Sequence, residues 1–278
     1  SPPSPAVSSV ETAASQDHSL DPEEFHVFTS HFFTTLATSG YDAVRSWVKD
    51  VPKFLQKKYV FVPICRDMHW SLCVICNPGA YFKKSGEINK EIAQTLLNEV
   101  KGQESDIPLD SLPGSCILLF DSLKCHSLGG VSRVLLGWLK TLVLSISANK
   151  KHEAVINEVF KKGKKGIFPA LSPQGIPYQT NGCDCGVFTS LYFWAFHSMA
   201  GKLHMTREWV QDFSAGGRRA GTQYEISGDP YFESFSQSHE VGLWREKMKE
   251  ECERRKELWR KNHSSSSSNS SSSGGGGA

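Results

Sequence analysis

The sequence lacks several features that define common protein classes. It has no run of about 18 apolar residues and no apolar segment near its start, so nothing in it indicates a membrane span or a signal peptide. Eight cysteines among 278 residues are too few for a disulfide scaffold, which predicts free thiols in a reducing compartment. A formal net charge of +2 does not favour nucleic acid or a membrane as the main partner. We therefore expect a protein of the nucleus, the cytoplasm or both.

The composition changes at both ends of the chain. Residues 1–24 are rich in Ser, Pro and Ala and contain no Trp, and residues 263–278 are almost entirely Ser and Gly. We expect both to be disordered or low-complexity tails. With 39% hydrophobic residues, the rest can bury one good core, so residues 25–262 are predicted to form a single domain.

Hydrophobic spacing predicts the main elements of this domain. Short β-branched and aromatic runs predict strands over residues 59–64, 70–76 and 116–120. Helical periodicity predicts helices over residues 25–36, 131–148, 187–196, 205–213 and 240–261. Residues 77–113 are expected to be part helix and part loop, with apolar residues marking one helical face. The fold class is therefore α+β.

Cys185 is the candidate nucleophile. Residues 181–184 (Asn-Gly-Cys-Asp) are typical of a turn into a helix, and an almost wholly apolar run follows. Cys185 would then lie at the positive end of a helix dipole, which favours the thiolate over the thiol. Taken alone, a cysteine at a buried helix start is more often a small core residue than a catalytic one.

Three further residues have the chemistry that a thiol nucleophile needs. His69 stands at the start of the second predicted strand and could act as its base. Asp121 ends the apolar 116–120 strand, where it could orient His69 and stabilise its imidazolium. Gln179, six residues before Cys185, could donate a side-chain N–H to the oxyanion together with the backbone N–H of Cys185.

These motifs resemble the Ulp/SENP group of cysteine proteases, which process SUMO and related ubiquitin-like proteins. The matching segments are 69–72 (His-Trp-Ser-Leu), 119–123 (Leu-Phe-Asp-Ser-Leu) and 179–186 (Gln-Thr-Asn-Gly-Cys-Asp-Cys-Gly). The order His, Asp, Gln, Cys agrees, and the resemblance covers roughly residues 25–255. Together these motifs are specific, although each alone would be weak.

The resemblance implies a papain-like, adenain-like fold with a mostly antiparallel sheet and a buried helix that carries the nucleophile. It implies catalytic roles for His69, Asp121, Gln179 and Cys185, and it implies that Trp70 binds the glycines of the substrate. The expected reaction is hydrolysis of the peptide or isopeptide bond after the C-terminal Gly-Gly of SUMO or a related protein. The sequence around Asp121 and the insertion at 77–113 are similar to those of the branch of the family that trims poly-SUMO chains.

The resemblance also implies limits and partners. We expect no cofactor and no metal, a monomer, and partners that are ubiquitin-like proteins and their conjugates rather than nucleic acid or membranes. Family members usually open with a Trp-containing segment that covers the tunnel for the glycine tail. Because residues 1–24 contain no Trp, either the chain is truncated at its N-terminus or the tunnel is covered differently.

Several alternatives stay open at this point. Cys73 and Cys76 have zinc-knuckle spacing, but strand alternation would put them on opposite faces of a sheet. Cys183 could pair with Cys185 in a redox role, although a turn or packing role fits it better. The same layout of His, acid, Gln and Cys also serves acetyltransferases, and a catalytically impaired binder of ubiquitin-like proteins is the remaining alternative.

Overall fold

A computed structural model describes residues 21–103, 107–108, 111–161, 166–173, 176–200, 205–214 and 238–264. The chain divides into two compact units at residues 233 and 234. The first unit contains the sheet and the candidate site. In the second, the described element is a single helix, Ser238–Ser264, with exposed ion pairs one turn apart, such as Arg254 with Glu251.

The first unit is built on a five-stranded sheet whose strands lie in chain order. The strands are β1 Phe25–Val27, β2 Tyr59–Arg66, β3 His69–Cys76, β4 Cys116–Phe120 and β5 Ala170–Leu171. The β2–β3 and β3–β4 pairs are antiparallel, and the short outer strands β1 and β5 pair in parallel. Most of the ladder is therefore antiparallel, in agreement with the expected fold class.

The turn between β2 and β3 decides where His69 lies. Asp67 and Met68 both have positive φ, 53° and 58°. Positive φ at both central residues is typical of the turn that fits a two-residue hairpin, because its twist matches the right-handed twist of the two strands. This turn pairs His69 directly with Arg66 and makes it the first residue of β3.

Helices cover the sheet on both faces. In chain order they are α1 His31–Ser39, α2 Tyr41–Val44, α3 Val51–Leu55, α4 Lys90–Val100, α5 Leu128–Leu144, α6 Glu153–Val159, α7 Cys185–Ala200 and α8 Arg207–Ser214. The helix of the second unit is α9. Because β4 is covered on both faces, all five of its residues are buried, which explains its continuous apolar sequence.

The two faces of the sheet hold different parts of the core. On one face, the cluster includes Phe32 of α1, Trp138 and Leu139 of α5, and Cys73 and Ile75 of β3. On the other face, α7 packs on β3, and Phe61 and Phe120 make ring contacts with aromatic residues of that helix. A helix that is apolar nearly all the way round suits this buried position.

Strand alternation separates Cys73 from Cys76. Cys73 belongs to the cluster on the α1 and α5 face, whereas Cys76 lies near Tyr59, whose ring packs against Phe196 of α7. Burial raises the pKa of both thiols. The two sulfurs thus point to opposite faces and cannot converge on one metal ion.

The predicted helix over residues 25–36 is wrong in its first part. Phe25–Val27 forms β1, which pairs with the first residues of β2, and the helix begins only at His31. The apolar spacing of this segment was compatible with both states, and pairing with the sheet decided between them.

The predicted N-terminal tail also differs in its last residues. Pro22–Glu24 forms a 3₁₀ turn, in which the side chain of Asp21 accepts from the Glu23 N–H. The Lys58 N–H donates to the Glu24 carbonyl at 2.7 Å, which ties this turn to the sheet. Order therefore begins before Phe25. Residues 1–20 and 265–278 of the two predicted tails lie outside the described residues.

The other helices were predicted with shifted ends. The helix expected over residues 131–148 is α5, which starts earlier, with Ser127 as its N-cap, and ends earlier. The 77–113 insertion contains α4 and loops, as expected, with Leu96 buried.

No single helix in the described ranges is long and apolar enough to cross a membrane. The pair Leu128–Leu144 and Ser147–Val159, bent by 115°, passes that test by length and composition alone.

Candidate active site

The structure brings His69 and Asp121 into direct contact. Phe120 pairs with Leu72, so Asp121 leaves the end of β4 beside the start of β3. His69 Nε2 lies 2.6 Å from Asp121 Oδ1, and both residues are only 6% exposed. At this distance and burial, the carboxylate fixes the orientation of the imidazole ring and favours a proton on Nε2.

Three donors hold the Asp121 carboxylate. The backbone N–H of Leu123 donates to Oδ1 at 3.0 Å, and the backbone N–H of His126 donates to Oδ2 at 2.7 Å. Burial opposes ionisation of this group, but these bonds and the bond from His69 outweigh it and lower the pKa of Asp121. The carboxylate is therefore ionised and ready to stabilise a protonated His69.

The second ring nitrogen of His69 is open. Nδ1 is buried and accepts no hydrogen bond from the residues that the structure describes. A buried polar atom without a partner is costly in a folded protein, and such atoms are concentrated where function requires them. Nδ1 is thus the nitrogen that can accept a proton, because Nε2 is held by Asp121.

Cys185 is the first residue of α7, behind a turn that Asn181 organises. Asn181 Oδ1 accepts from the backbone N–H groups of Cys183 and Asp184, at 3.0 and 3.1 Å. The Phe188 N–H donates to the Asp184 carbonyl at 3.0 Å, so the helix starts directly after the turn. Cys185 is 7% exposed, whereas Cys183 is exposed on the outside of the turn.

Gln179 is held next to the His69–Asp121 pair. Its Oε1 accepts from Ser122 Oγ at 2.5 Å, and its backbone N–H donates to the Ser122 carbonyl at 3.3 Å. Nε2 donates one of its two hydrogens to the Asn181 carbonyl at 2.6 Å. The other hydrogen is available to a bound group, which is the property required of an oxyanion donor.

Hydrogen bonds connect most of the predicted site in one chain. His69 bonds Asp121, and Ser122, the next residue along the polypeptide, bonds Gln179. Gln179 in turn bonds Asn181, whose side chain bonds Asp184 in the turn before Cys185. No hydrogen bond joins Cys185 Sγ to His69 in the described part of the chain, so that contact is not formed here. Catalytic hydrogen bonds are often long in proteins without substrate and tighten when it binds.

Trp70 follows His69 on β3 and pairs with Cys65 of β2. It is the chain neighbour of His69, and its side chain is half-buried, so part of the ring is accessible. This position is compatible with a wall for an extended peptide.

The sequence analysis did not identify two residues that make contacts at this site, Ser122 and His126. Ser122 lies inside a motif that was recognised, but its contact with Gln179 spans 57 positions and has no local signature. His126 lies on the loop after β4, with its ring centroid 5.0 Å from that of His69. Its position five residues after Asp121 was the available signal.

His69, Asp121 and His126 also place potential metal-ligand atoms within 4.8 Å of one another. Hydrogen bonds already engage these side chains: His69 with Asp121, and His126 with Ser71 and the Arg66 carbonyl. A metal ion would have to replace these bonds, so the network does not fit a metal centre as it stands.

The names of the curated relatives describe proteases specific for ubiquitin-like proteins. A probable ubiquitin-like-specific protease 2B of Arabidopsis thaliana is 31% identical over 188 residues, which cover 62% of this chain and 17% of that protein. Sentrin-specific protease 2 of Homo sapiens is 27% identical over 60% of this chain and 20% of its own length. Ubiquitin-like-specific protease 2 of Schizosaccharomyces pombe is 27% identical over 60% of this chain and 25% of its own length. The chain therefore spans a quarter or less of these relatives.

A solved structure and a family model complete the comparison. The crystal structure of a de-sumoylating protease superposes with a TM-score of 0.53 at 20% identity, covering 92% of this chain and 79% of that one, which supports the fold. The model of the Ulp1 protease family, C-terminal catalytic domain, matches residues 10–219. Because this match covers most of the chain, the protein belongs to the Ulp1 protease family.

Proposed function

We propose that the protein is a cysteine protease that hydrolyses the peptide or isopeptide bond after the C-terminal Gly-Gly of SUMO or a related ubiquitin-like protein. The observation that carries this proposal is the buried His69, whose Nε2 bonds Asp121 at 2.6 Å while Nδ1 is open. That arrangement is the one a thiol nucleophile needs from its base. Family membership and the names of the curated relatives support the substrate class.

In the first half of the reaction, His69 Nδ1 takes the proton of the Cys185 thiol. The thiolate attacks the carbonyl carbon of the terminal glycine and forms a tetrahedral oxyanion. The oxyanion accepts from the free N–H of Gln179 and from the backbone N–H of Cys185. The imidazolium, stabilised by Asp121, then protonates the leaving amine, so the C–N bond breaks and a thioester to Cys185 remains.

In the second half, water replaces the amine. His69 Nδ1 removes a proton from the water as it attacks the thioester carbonyl, and the same two donors bind the second oxyanion. The C–S bond breaks, His69 returns its proton to the thiolate, and the ubiquitin-like protein leaves with a free C-terminal carboxyl group, which releases its proton to solvent. No cofactor is needed to balance these steps.

Specificity for glycine is assigned to Trp70. A flat ring beside the catalytic histidine accepts residues without a side chain and excludes larger ones. Replacing either terminal glycine of the substrate by alanine should therefore lower kcat/KM strongly. Trp70→Ala should weaken that discrimination and also slow cleavage, because the tail is no longer held for attack. Equal cleavage of alanine and glycine tails by the unmodified enzyme would contradict this role.

An activity-based probe tests the proposal directly. A SUMO body with a C-terminal electrophile should form a covalent adduct with the protein, detected as a mass increase mapped to Cys185. Cys185→Ala is the matched control and should give no adduct. Binding of SUMO without an adduct would instead indicate an impaired binder. Acetyl transfer from an acyl donor without probe labelling would indicate an acetyltransferase.

The same probe reaction identifies the preferred partner. Probes built on SUMO, on ubiquitin and on a second ubiquitin-like protein, compared at equal concentration, should give the fastest labelling with SUMO.

We further infer that the protein acts as a monomer in the nucleus, the cytoplasm or both. Analytical ultracentrifugation and imaging of the tagged full-length protein test these points, and a stable dimer or an extracellular location would contradict them.

A further inference from the structure

The ring of His126 connects the two segments that carry the catalytic pair. Its Nδ1 lies 2.7 Å from Ser71 Oγ, and its Nε2 lies 3.3 Å from the Arg66 carbonyl. Arg66 ends β2 and Ser71 lies in β3, so both partners belong to the hairpin that presents His69. His126 itself belongs to the loop that begins at Asp121.

The backbone of His126 acts on the catalytic carboxylate as well. Its N–H donates to Asp121 Oδ2 at 2.7 Å. The next residue, Ser127, caps α5 by accepting from the Gly130 N–H, so the loop is fixed to a long helix just beyond this point. One residue therefore contacts the hairpin with its ring and Asp121 with its backbone.

We propose that His126 is a positioning residue for the catalytic pair: by bonding Ser71 and the Arg66 carbonyl, its ring keeps the Asp121 loop at the distance at which Asp121 orients His69. This role rests on the proposed function. It does not require His126 to touch the substrate or the reacting atoms.

The neutral ring matches its two partners. Arg66 offers a carbonyl and can only accept, so Nε2 carries the proton and Nδ1 accepts from the Ser71 hydroxyl. The charged and titratable groups around the ring are Asp121 on its own loop, His69 on β3, and Arg66 and Asp67 at the hairpin turn. Burial lowers the pKa of His126, so the neutral form that the two bonds need is the one present at neutral pH.

Two substitutions separate hydrogen bonding from shape. His126→Phe keeps a planar ring but removes both bonds to the hairpin. His126→Gln offers one oxygen to accept from Ser71 and one N–H to donate to the Arg66 carbonyl, so it can replace both bonds. His31, which is exposed at the start of α1, provides the matched control as His31→Phe. If His126→Phe does not fold, Ser71→Ala removes one of the two bonds and leaves the ring in place.

Steady-state kinetics on a SUMO conjugate give the first readout. We expect His126→Phe to lower kcat about 10-fold to 100-fold with KM changed less than about twofold, because small misplacements of catalytic groups cost about this much. Ser71→Ala should show a smaller loss of the same kind. His126→Gln should stay within about threefold of the unmodified protein. Unchanged kcat in His126→Phe, or equal losses in the Phe and Gln variants, would overturn the proposal.

Proton NMR gives a second readout that does not depend on protease activity. The hydrogen on His69 Nε2, held by Asp121, should give a downfield resonance that His69→Ala removes. His126→Phe should broaden or remove this resonance, and His126→Gln and His31→Phe should keep it. A resonance unchanged in His126→Phe would overturn the positioning role. If the unmodified protein cleaves no conjugate, the proposed function fails, while this comparison still tests His126.

Discussion

At the scale of single residues, the two nitrogens of His69 have different surroundings. Nε2 is bonded to an ionised Asp121, and Nδ1 is buried without a partner among the described residues. A buried pair of polar side chains of this kind adds little to stability and is costly when one partner is removed. A contribution to folding therefore does not account for the open Nδ1, which is the atom that the proposed proton transfer uses.

The two cysteines at the start of α7 should differ sharply on substitution. Cys185→Ala removes the nucleophile and little volume, so cleavage of a SUMO conjugate should be abolished while SUMO binding and the thermal unfolding midpoint stay close to their original values. Cys183→Ala should keep most of the activity, because Cys183 is exposed on the turn. Single-turnover cleavage and calorimetric binding measure these effects, and the reverse pattern would move the nucleophile to Cys183.

Removal of Gln179 and of its hydrogen-bond partner should slow the same step to different extents. Gln179→Ala should lower kcat by about 10² to 10³, the usual effect of losing one oxyanion donor. Ser122→Ala leaves the amide present but removes the hydroxyl that bonds its Oε1 at 2.5 Å, so a smaller loss is expected. In a double-mutant cycle, the Ser122 effect should disappear in the Gln179→Ala background. Independent, additive effects would show that Ser122 acts elsewhere.

Sequence reasoning identified the candidate catalytic residues but missed the residues that bond them. Cys185, His69 and Asp121 stand out because each lies at an end of an element and carries a specific chemistry, and Gln179 stands out because it precedes Cys185 by six residues. Ser122 and His126 make their contacts across 57 and 55 positions, between a loop and elements that are far away in the chain. Such contacts depend on strand register and loop path, which no local pattern encodes.

At the scale of elements, pairing overrides local preference. Phe25–Val27 forms a strand because it pairs in parallel with the edge of β2. The helix therefore begins only at His31. By contrast, β4 was predicted with its observed bounds, because it is apolar throughout and buried on both faces, so sequence and environment agree. The helix predicted over residues 187–196 covers the central, most apolar part of α7.

The insertion helix α4 is fixed to α8 by a buried ion pair, which makes a prediction about stability. Arg207 Nε and the Glu99 carboxylate are 2.9 Å apart, and Arg207 also donates to the Ile167 carbonyl. Arg207→Met should destabilise the protein by about 3–5 kcal/mol in urea unfolding, because it removes the positive charge beside a partly buried carboxylate, which keeps only the Gln211 amide as a donor among the described residues. The double variant with Glu99→Leu should recover part of this loss.

The exposed pair of Lys161 and Glu158 is the control for that measurement. Both side chains are more than half exposed, so Lys161→Met should change the free energy of unfolding by about 0.5 kcal/mol or less. A loss as small as this in Arg207→Met would mean that the insertion is held in place by its apolar face, around Leu96, and not by the ion pair.

At the scale of the whole molecule, three of the half-buried histidines among the described residues lie in separate places. His26 is in β1 against Phe28 and Phe54, His126 follows β4, and His197 on α7 contacts Phe25. Burial lowers the pKa of each ring below the ordinary value of 6.5, and for His26 the charge of Lys57 acts in the same direction. The folded protein therefore keeps these rings neutral at a pH where the unfolded chain protonates them.

This difference sets the sign of the pH dependence of stability. A histidine whose folded pKa is lowered takes up a proton on unfolding, so its stabilising effect is complete above 6.5 and is lost as the pH falls through the folded value. One full proton corresponds to about 1.4 kcal/mol per pH unit, and partial exposure reduces each contribution. The lowered pKa of Asp121 adds a separate loss only below its ordinary value of 3.8.

We therefore expect the free energy of unfolding to fall as the pH drops below the ordinary histidine value of 6.5, before carboxylates titrate. Urea unfolding followed by tryptophan fluorescence at half-unit pH steps measures the slope. The variant with His26→Gln, His126→Gln and His197→Gln together should show a flatter profile, because its side chains at these positions do not titrate. Each single substitution should remove part of the slope, since no hydrogen bond or ring contact joins any two of these three rings in the described part of the chain. A flat profile in the unmodified protein, or an unchanged slope in the triple variant, would show that these rings titrate alike in the folded and unfolded states.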